Sequence, residues 1–144
     1  MNNVTAGIYI FNKKGQLLVC HPNEMDESIW SIPKGLMDRG EIPVETAMRE
    51  MEEETGIHIE GLKKKLQYVG SIKYENKPKM LIAYTLKLDD NPPVEDLVCK
   101  STFKSLYSGK RISEIDKFQW IDYDAIQNTI QPEQTKLWGE FTTK

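Results

Sequence analysis

Residues 35–57 read GLMDRGEIPVETAMREMEEETGI, and this segment decides what the rest of the chain must build around. Pro43 suits the first turn of a helix, where its missing N–H costs little, and Gly56 suits the left-handed cap that ends one. Between them, largely apolar side chains recur at spacings of three and four, which is typical of a helix with one buried face. These side chains are Val44, Ala47, Met48, Met51 and Thr55. We therefore predict a helix that begins at Pro43, ends at Gly56 and packs this stripe against a core.

A second stripe on the same helix is acidic. Glu50, Glu53 and Glu54 are spaced by three and by one, so at 100° per residue they fall on one side of the helix. Like charges so close together destabilise an isolated helix. Taken alone, three glutamates are compatible with an ordinary solvated face. The alternative is a divalent cation, because Mg²⁺ binds carboxylate oxygens and keeps waters and phosphates as its other ligands.

Arg49 and the glycines at the two ends of the segment favour the metal-binding interpretation. The complete run resembles the Nudix box, G-x5-E-x7-R-E-U-x-E-E-x-G-U with U aliphatic, at every position over 23 residues. The preceding stretch, Trp30-Ser-Ile-Pro-Lys-Gly35, is similar to the family as well. This resemblance implies a fold of the α/β class, an α/β/α sandwich around a mixed β-sheet, with the box as a loop–helix–loop.

The resemblance also implies a metal site. Glu50, Glu53 and Glu54 match the carboxylates that hold divalent cations and activate water, and the backbone carbonyl of Lys34 matches a further metal ligand. The implied cofactor is Mg²⁺, with Mn²⁺ as the alternative. Lys34 and Gly35 would also contact the substrate, a nucleoside diphosphate linked to a further group. Which glutamate is the general base stays open, because coupled carboxylates share their titration.

Four further positions of the box support this site. Arg49 matches the arginine that orients one of the glutamates by ion pairing, so the resemblance places it among the catalytic residues with Glu50 and Glu53. Glu41 matches the glutamate that braces the loop against the helix. Gly35 and Gly56 match the two glycines of the box, and we expect structural roles for both.

Glu114 is an acidic candidate outside the box. It lies six residues before Trp120, and in several Nudix enzymes a loop glutamate at this spacing reaches the metals. The resemblance thus makes Glu114 a fourth acidic ligand or the catalytic base, and a solvated loop residue is the alternative. Glu95 and Asp96 are alternatives for the same role. Trp120 is predicted to pack in the core, because it lies in a strand.

Tyr74 is the candidate for recognition of the substrate base. It lies 17 residues beyond Ile57, which resembles the Nudix subgroup acting on diadenosine polyphosphates and on 5′-triphosphorylated RNA. We predict that its ring stacks on a base, with packing at a strand edge as the alternative. The C-terminal stretch, including Ser101-Thr-Phe103 and Gln131-Pro-Glu-Gln134, resembles a group of bacterial and phage proteins described only as predicted nucleotide pyrophosphohydrolases.

Strand patterns flank the helix on both sides. We predict strands at Val4–Phe11, Leu17–Cys20, Leu66–Tyr74, Met80–Leu88, Val98–Phe103 and Lys117–Ile121. A short helix should start at Asp122 or Tyr123 and run through Ile130. A last helix should start at Pro132 and carry Leu137 and Trp138. No linker interrupts the pattern, so we expect one domain over residues 1–144.

Composition narrows the classes of partner. The formal net charge of −3 provides no global basic field for nucleic acid, although local lysines can still meet phosphates. Two cysteines, Cys20 and Cys99, are too few for a disulfide framework and are predicted to be reduced. We see no signal peptide and no apolar stretch of membrane-spanning length, so we expect a cytoplasmic protein, monomeric or homodimeric, that does not bind membranes.

Together these features predict a Mg²⁺-dependent hydrolase that cuts a phosphoanhydride bond. The expected substrate is a dinucleoside polyphosphate or a nucleoside triphosphate. Removal of pyrophosphate from RNA 5′ ends is the close alternative, and ADP-ribose hydrolysis is the next. An alternative from another class is a catalytically dead module that senses a nucleotide. Such modules usually lose box carboxylates, and this chain keeps all of them.

Overall fold

A computed structural model of the chain describes residues 3–58, 60–75 and 77–137. Within these ranges the strands and helices follow one another in the order β, β, β, α, five more strands and a second short helix. They are β1 (Asn3–Phe11), β2 (Leu17–Pro22), β3 (Lys34–Leu36), α1 (Pro43–Thr55), β4 (Gln67–Lys73), β5 (Lys79–Lys87), β6 (Thr102–Lys104), β7 (Arg111–Ser113), β8 (Ile115–Ile121) and α2 (Ile126–Thr129). Short 3₁₀ turns lie at Lys63–Lys65, Val94–Asp96, Tyr123–Ala125 and Pro132–Leu137.

The main sheet is mixed, as predicted. Its strands lie in the order β4-β5-β1-β2-β8, and β3 pairs with β1 off this path. β1 and β5 run parallel, with Asn3 opposite Lys79 and Phe11 opposite Lys87, whereas the other neighbours are antiparallel. β6 and β7 form a separate two-stranded hairpin directly before β8.

Helical segments cover both faces of this sheet. On one face, Ala47 and Met51 of α1 pack against Ile8 and Leu18 of the sheet. On the other face, Ile126 of α2, Ile130 directly after it and Leu137 of the last 3₁₀ turn pack in one cluster with Tyr9 and Val19 of the sheet. Burial of these apolar side chains is the main driving force for folding. The predicted α/β/α sandwich is therefore confirmed.

The helix α1 has the predicted ends and the predicted buried stripe. Pro43 is its first residue, and the N–H of Ile42 donates to the carboxylate of Glu45 at 3.1 Å. Gly56 ends it in the left-handed conformation, with φ of 78°, and its N–H donates to the Glu52 carbonyl at 2.9 Å. Of the five stripe residues, four are buried and Val44 is half-buried.

The strand predicted at Val98–Phe103 begins only at Thr102, so that prediction was wrong over its first four residues. The chain there has other partners. The N–H groups of Lys100 and Ser101 donate to the carbonyl of Glu53 at 2.6 and 3.2 Å, and the N–H of Val98 donates to that of Thr55 at 3.0 Å. These bonds satisfy carbonyls at the end of α1 that lack partners within the helix. They also draw the following hairpin toward α1.

Three smaller predictions are also resolved. The last helical segment is 3₁₀ rather than α, and Trp138 lies outside the described residues. Cys20 and Cys99 are free thiols, as predicted. Among the helices of the described ranges, none has both the length and the apolarity that crossing a membrane requires.

Candidate active site

The acidic stripe of α1 opens onto a cavity of about 490 Å³. The residues that line it and that the sequence singled out are Lys34, Gly35, Arg49, Glu50, Glu53, Glu54 and Glu114. A larger cleft of about 770 Å³ opens near Lys13 and Lys87, but no residue of the 35–57 segment lines it. The smaller cavity is therefore the candidate active site, because it alone of the two contains the carboxylates.

Gly35 allows the loop before α1 to approach the helix closely. β3, which contains Gly35, pairs with β1 on one side, and the carboxylate of Glu50 fills the space where a side chain of residue 35 would lie. The N–H of the preceding residue, Lys34, donates to the carboxylate of Glu54 at 3.3 Å. The loop and the acidic stripe are thus in direct contact.

Arg49 holds three carboxylates in place. Its Nε and Nη2 donate to the two oxygens of Glu41 at 2.7 and 3.0 Å. Its Nη1 donates to Glu50 at 2.8 Å and to Glu53 at 3.2 Å. This pairing holds the pKa of Arg49 above its usual range, with the hydrogen bond to Glu41 as the largest cause. Arg49 therefore orients two of the stripe glutamates.

Glu41 joins the loop to the first turns of the helix. Besides the two bonds from Arg49, it accepts the N–H of Asp38 at 2.8 Å and the hydroxyl of Thr46 at 2.7 Å. The hydrogen bond from Arg49 is the largest cause that lowers the pKa of Glu41 to about 2. Glu41 is thus an ionised brace at neutral pH, and it does not line the cavity.

Glu50 and Glu54 are buried acids that contact each other. Burial raises the pKa of both, and for Glu54, which is only 5% exposed, the charge of Glu50 raises it further. A carboxylate in such a place lacks the water that would stabilise its charge. A cation in the cavity would supply that stabilisation.

Glu114 lines the same cavity as the stripe, but it lies between β7 and β8 rather than on α1. Its backbone is fixed on both sides: its N–H donates to the Ser101 carbonyl at 3.0 Å, and its own carbonyl accepts the N–H of Asn23 at 2.8 Å. Burial and then the charge of Glu53 raise the pKa of Glu114. An effect of Glu53 on Glu114 requires the two carboxyl groups to be near each other. The structure thus brings a fourth acid to the cavity.

These features are accompanied by a match to a known family. The family model described as the NUDIX domain matches residues 1–139 of the chain. The chain belongs to the Nudix family. The predicted family and fold class are therefore confirmed, as is the prediction of a hydrolase that acts on phosphoanhydrides. Hydrolases of this family depend on divalent metals.

Relatives of this Nudix chain include proteins of two named activities. An RNA pyrophosphohydrolase from Bartonella quintana (strain Toulouse) is 26% identical over an alignment of 145 residues. The alignment covers 87% of this chain and 79% of the relative. The asymmetrical bis(5′-nucleosyl)-tetraphosphatase of Mus musculus is 42% identical over 67 residues, which cover 42% of this chain and 43% of the relative. A crystal structure of a C. elegans Ap4A hydrolase binary complex has the same fold, with a TM-score of 0.70, 23% identity and coverage of 98% and 96% of the two chains.

The carboxylates of the Nudix box that line the cavity are Glu50, Glu53 and Glu54. Within residues 3–58, 60–75 and 77–137, no three His, Cys, Asp or Glu side chains have the geometry of a metal-holding group. The donor set itself fits a hard cation, since it consists of carboxylates, two of them buried, with the Lys34 carbonyl on the adjacent strand.

Lys79 is a cavity residue that the sequence did not indicate. It is the first residue of β5 and lines the same wall as Lys34. Burial is the largest cause that lowers its pKa to about 8, and the charges of Lys34 and Lys77 lower it further. The pairing of β5 with β1 carries Lys79 to the cavity. The sequence does not indicate that Lys79 lies at the cavity, because Lys79 is 22 residues beyond the end of the box. Its position becomes clear only from the parallel register of β5 with β1.

Tyr74 is not brought to the cavity with the other candidates. It lies just beyond the end of β4, is 6% exposed and belongs to the main cluster of buried residues. Lys79 Nζ lies 5.0 Å from the centre of its ring, an arrangement that supports Lys79 by a cation–π contact. In this structure the ring is not presented for stacking on a base, because the side chain is buried and Lys79 lies over the ring.

The remaining candidates lie elsewhere. Glu95 and Asp96 are exposed in a 3₁₀ turn and do not line the cavity. Trp120 packs against the cluster under α1, as predicted, and its indole N–H donates to the Pro92 carbonyl at 2.7 Å. His21 is buried, and its Nδ1 lies 2.6 Å from Oδ1 of Asp116.

Proposed function

We propose that this cavity hydrolyses a phosphoanhydride bond in a nucleoside diphosphate linked to a further group, with Mg²⁺ as the cofactor. The single observation that carries the proposal is the convergence of Glu50, Glu53, Glu54 and Glu114 on one cavity that also contains lysines. Carboxylates provide a site for divalent cations, and lysines attract the phosphates that those cations bridge.

The residues that would hold the cation are Glu50, Glu53, Glu54 and Glu114 with the carbonyl of Lys34. When bound, the cation supplies charge for the non-bridging phosphate oxygens and makes the attacking water more acidic. Mn²⁺ is the expected substitute. Two buried carboxyl groups with raised pKa values support this assignment, because a cation at that point would offset the cost of ionising both.

Arg49, which is itself held by Glu41, donates hydrogen bonds to Glu50 and Glu53. These bonds fix the positions of the two carboxylates at the cavity. Lys34 and Lys79 are placed to contact the phosphates of the substrate. Water attacks one phosphorus, its oxygen joins that phosphate, and the bridging oxygen leaves with the other product. A carboxylate of the cavity takes the proton of the water, and which of the four does so remains open.

Two substrate classes are proposed for this site. The first is a dinucleoside polyphosphate or a nucleoside triphosphate, which is supported by the similarity to the mouse tetraphosphatase. The second is the polyphosphorylated 5′ end of RNA, which is supported by the similarity to the Bartonella protein. Hydrolysis of ADP-ribose is the remaining candidate. A cytoplasmic location stays a prediction.

The experiment is a comparison of kcat/KM on ATP, diadenosine tetraphosphate, ADP-ribose and a 5′-triphosphorylated RNA, each with Mg²⁺ and with Mn²⁺. We expect at least one substrate to be hydrolysed in a metal-dependent way, and we expect this activity to be lost in Glu53→Gln. The matched control is Glu52→Gln, since Glu52 lies on the same helix but does not line the cavity. Absence of hydrolysis on all four substrates with either metal would overturn the proposal and favour a binding module.

A further inference from the structure

The hairpin that precedes Glu114 has an apolar tip exposed to solvent. Leu106 is 89% exposed and Tyr107 is 83% exposed, the two highest values among the large hydrophobic side chains of the described residues. They lie side by side in the loop between β6 and β7. Single exposed apolar side chains need no explanation, but two neighbouring ones at the end of a hairpin beside a catalytic cavity are candidates for a binding surface.

The backbone of this tip is held in a defined shape. The hydroxyl of Ser105 accepts the N–H groups of Tyr107 and Ser108, each at 3.1 Å, and it donates to the carboxylate of Glu24. Glu24 also accepts the N–H of Leu106 at 3.1 Å. Because the backbone is held in this way, the loop loses little backbone freedom when it binds a partner.

Glu24 itself has an unusual backbone conformation. Its φ is 66°, the one positive value among the non-glycine residues of the described ranges. A side chain in the left-handed region costs free energy, and such residues concentrate at functional sites. This conformation accompanies the two bonds from the carboxylate of Glu24 to the hairpin loop. The contact between the two loops is thus maintained at a local cost.

Positive charges link this tip to the cavity. Lys104, Lys110 and Arg111 are all exposed, and Lys104 lies opposite Arg111 in the hairpin. The guanidinium of Arg111 donates to the hydroxyl and the carbonyl of Thr102 at 3.0 and 2.8 Å, at the base of the hairpin. Arg111 is the first residue of β7, and β7 ends directly before Glu114, which lines the cavity.

We propose that this hairpin tip binds single-stranded RNA whose 5′ polyphosphate occupies the cavity, with Tyr107 stacking on a base and Leu106 contacting its edge. This inference rests on the proposed function and selects RNA among its substrates. The positions of the charges decide between the candidates. A dinucleoside polyphosphate has all its phosphates in one chain between its nucleosides, so cations around a distant base would have no phosphate to meet. An RNA strand continues with a phosphate at every nucleotide.

The distance is consistent with this assignment. Lys110 lies four residues before Glu114, so an extended strand places them about 13 Å apart, and the tip lies beyond. A substrate with a single nucleotide whose phosphates occupy the cavity has no further phosphate that could contact the hairpin cations. The net charge of −3 does not oppose the binding, because the cations are local to the hairpin.

The test compares Tyr107→Ala with the wild-type enzyme on a 5′-triphosphorylated RNA trinucleotide, on ATP and on diadenosine tetraphosphate. We expect the KM for the RNA to rise by about 5-fold to 100-fold, the range for loss of one stacked base, with kcat unchanged. KM for the other two substrates should change by less than about twofold. Tyr107→Phe should restore the wild-type KM, because it keeps the ring. Tyr68→Ala is the matched control, since Tyr68 is 57% exposed and lies on β4, away from the hairpin.

A second measurement separates this inference from the proposed function. Binding of a 3′-labelled, triphosphorylated RNA, followed by fluorescence anisotropy, should weaken in Tyr107→Ala even if no substrate were hydrolysed. Lys110→Gln should reduce the slope of log K against log salt by about 0.7, the value for one phosphate contact on a single strand.

Three results would overturn the assignment to RNA. The first is an equal change of KM on RNA and ATP. The second is a change that is as large for diadenosine tetraphosphate as for RNA, which would place its second nucleoside at the tip. The third is an unchanged KM together with a shift from dimer to monomer in light scattering. That result would identify the tip as a subunit interface.

Discussion

A β-carbon built on Gly35 would lie 2.0 Å from the carboxyl carbon of Glu50. No two such atoms approach each other so closely without a covalent bond, so any side chain at residue 35 must displace either the Glu50 carboxylate or the strand β3. We predict that Gly35→Ala lowers kcat at least tenfold and lowers stability by about 1–3 kcal/mol, the usual cost of overpacking. Thermal denaturation and steady-state assays on the same preparation would measure both effects.

Gly40→Ala provides the control for that variant. Gly40 has φ of 89° but open space around its α-carbon, so an added methyl group strains the backbone without touching a carboxylate. We expect a loss of about 1 kcal/mol of stability and kcat within a factor of about two of the wild type. Equal kcat losses in the two variants would show that close approach to Glu50 is not the reason for the glycine.

Replacement of two box carboxylates should separate catalysis from stability. Glu53→Gln and Glu54→Gln should each lower kcat by at least about 100-fold, because both remove a proposed metal ligand. Glu54→Gln should also raise Tm of the metal-free protein at pH 8. A buried acid whose pKa is raised destabilises the folded state at any pH above its ordinary pKa, and glutamine lacks that charge. Near-normal activity of either variant at saturating Mg²⁺ would remove that residue from the metal site.

Glu114→Gln should behave differently from the helix variants. The backbone of Glu114 is bonded to Ser101 and Asn23 rather than to α1, and we expect its carboxylate to reach the cation only after substrate binds. The variant should therefore lose kcat strongly with little change in metal binding to the free enzyme. Calorimetric titration with Mn²⁺ would measure the second quantity. Glu95→Gln is the control, because Glu95 is exposed and outside the cavity. Wild-type turnover in Glu114→Gln on the best substrate would return Glu114 to the role of a surface residue.

The brace formed by Glu41 predicts a pH dependence of stability. Its folded-state pKa is about 2 and its ordinary value is 4.5, so the ionised form is favoured in the folded protein. The contribution is therefore complete above pH about 4.5 and is lost as the pH falls toward about 2. Glu41→Gln should cost about 1.5–3 kcal/mol at pH 7, the range for hydrogen bonds to charged groups. The difference in Tm between wild type and variant should stay constant from pH 8 to pH 5 and shrink below that. A difference that grows on acidification would contradict this assignment.

The role of Tyr74 can be decided by a pair of variants. Its hydroxyl is buried and finds no hydrogen-bond partner among the residues that the structure describes. Tyr74→Phe should therefore keep or slightly raise Tm, because it removes an unsatisfied polar atom. Tyr74→Ala should lower stability by about 3–5 kcal/mol, as large-to-small changes in a core do. A KM for diadenosine tetraphosphate that rises in Tyr74→Phe with Tm unchanged would instead support contact with the substrate.

Much of the box could be predicted from the sequence, because its signals are local. The backbone preferences of Pro43 and Gly56 indicate where the helix begins and ends, and the spacing of the apolar residues indicates that Met51 is buried. All of these signals lie within 23 residues. The position of Lys79 could not be predicted in this way. It depends on the parallel pairing of β5 with β1. No fixed spacing in a sequence indicates which two strands pair in parallel.

The error at Val98–Phe103 has a similar origin. An apolar, β-branched stretch predicts a strand, but this segment donates its N–H groups to the free carbonyls at the end of α1. The burial of Tyr74 is another tertiary effect, since the C-terminal 3₁₀ turn packs beside β4 and closes the core there. Tyr74 was assigned by its spacing from the box, and that spacing carries no information about which residues cover its side chain.

The most direct test of the active-site assignment is anomalous diffraction from a crystal that contains Mn²⁺ and a non-hydrolysable polyphosphate analogue. The account predicts at least one Mn²⁺ peak within about 2.5 Å of oxygens of two or more of Glu50, Glu53 and Glu54, with a phosphate oxygen as a further ligand. A crystal in which Mn²⁺ and the phosphates bind elsewhere, with these three glutamates still paired as in the free protein, would contradict it.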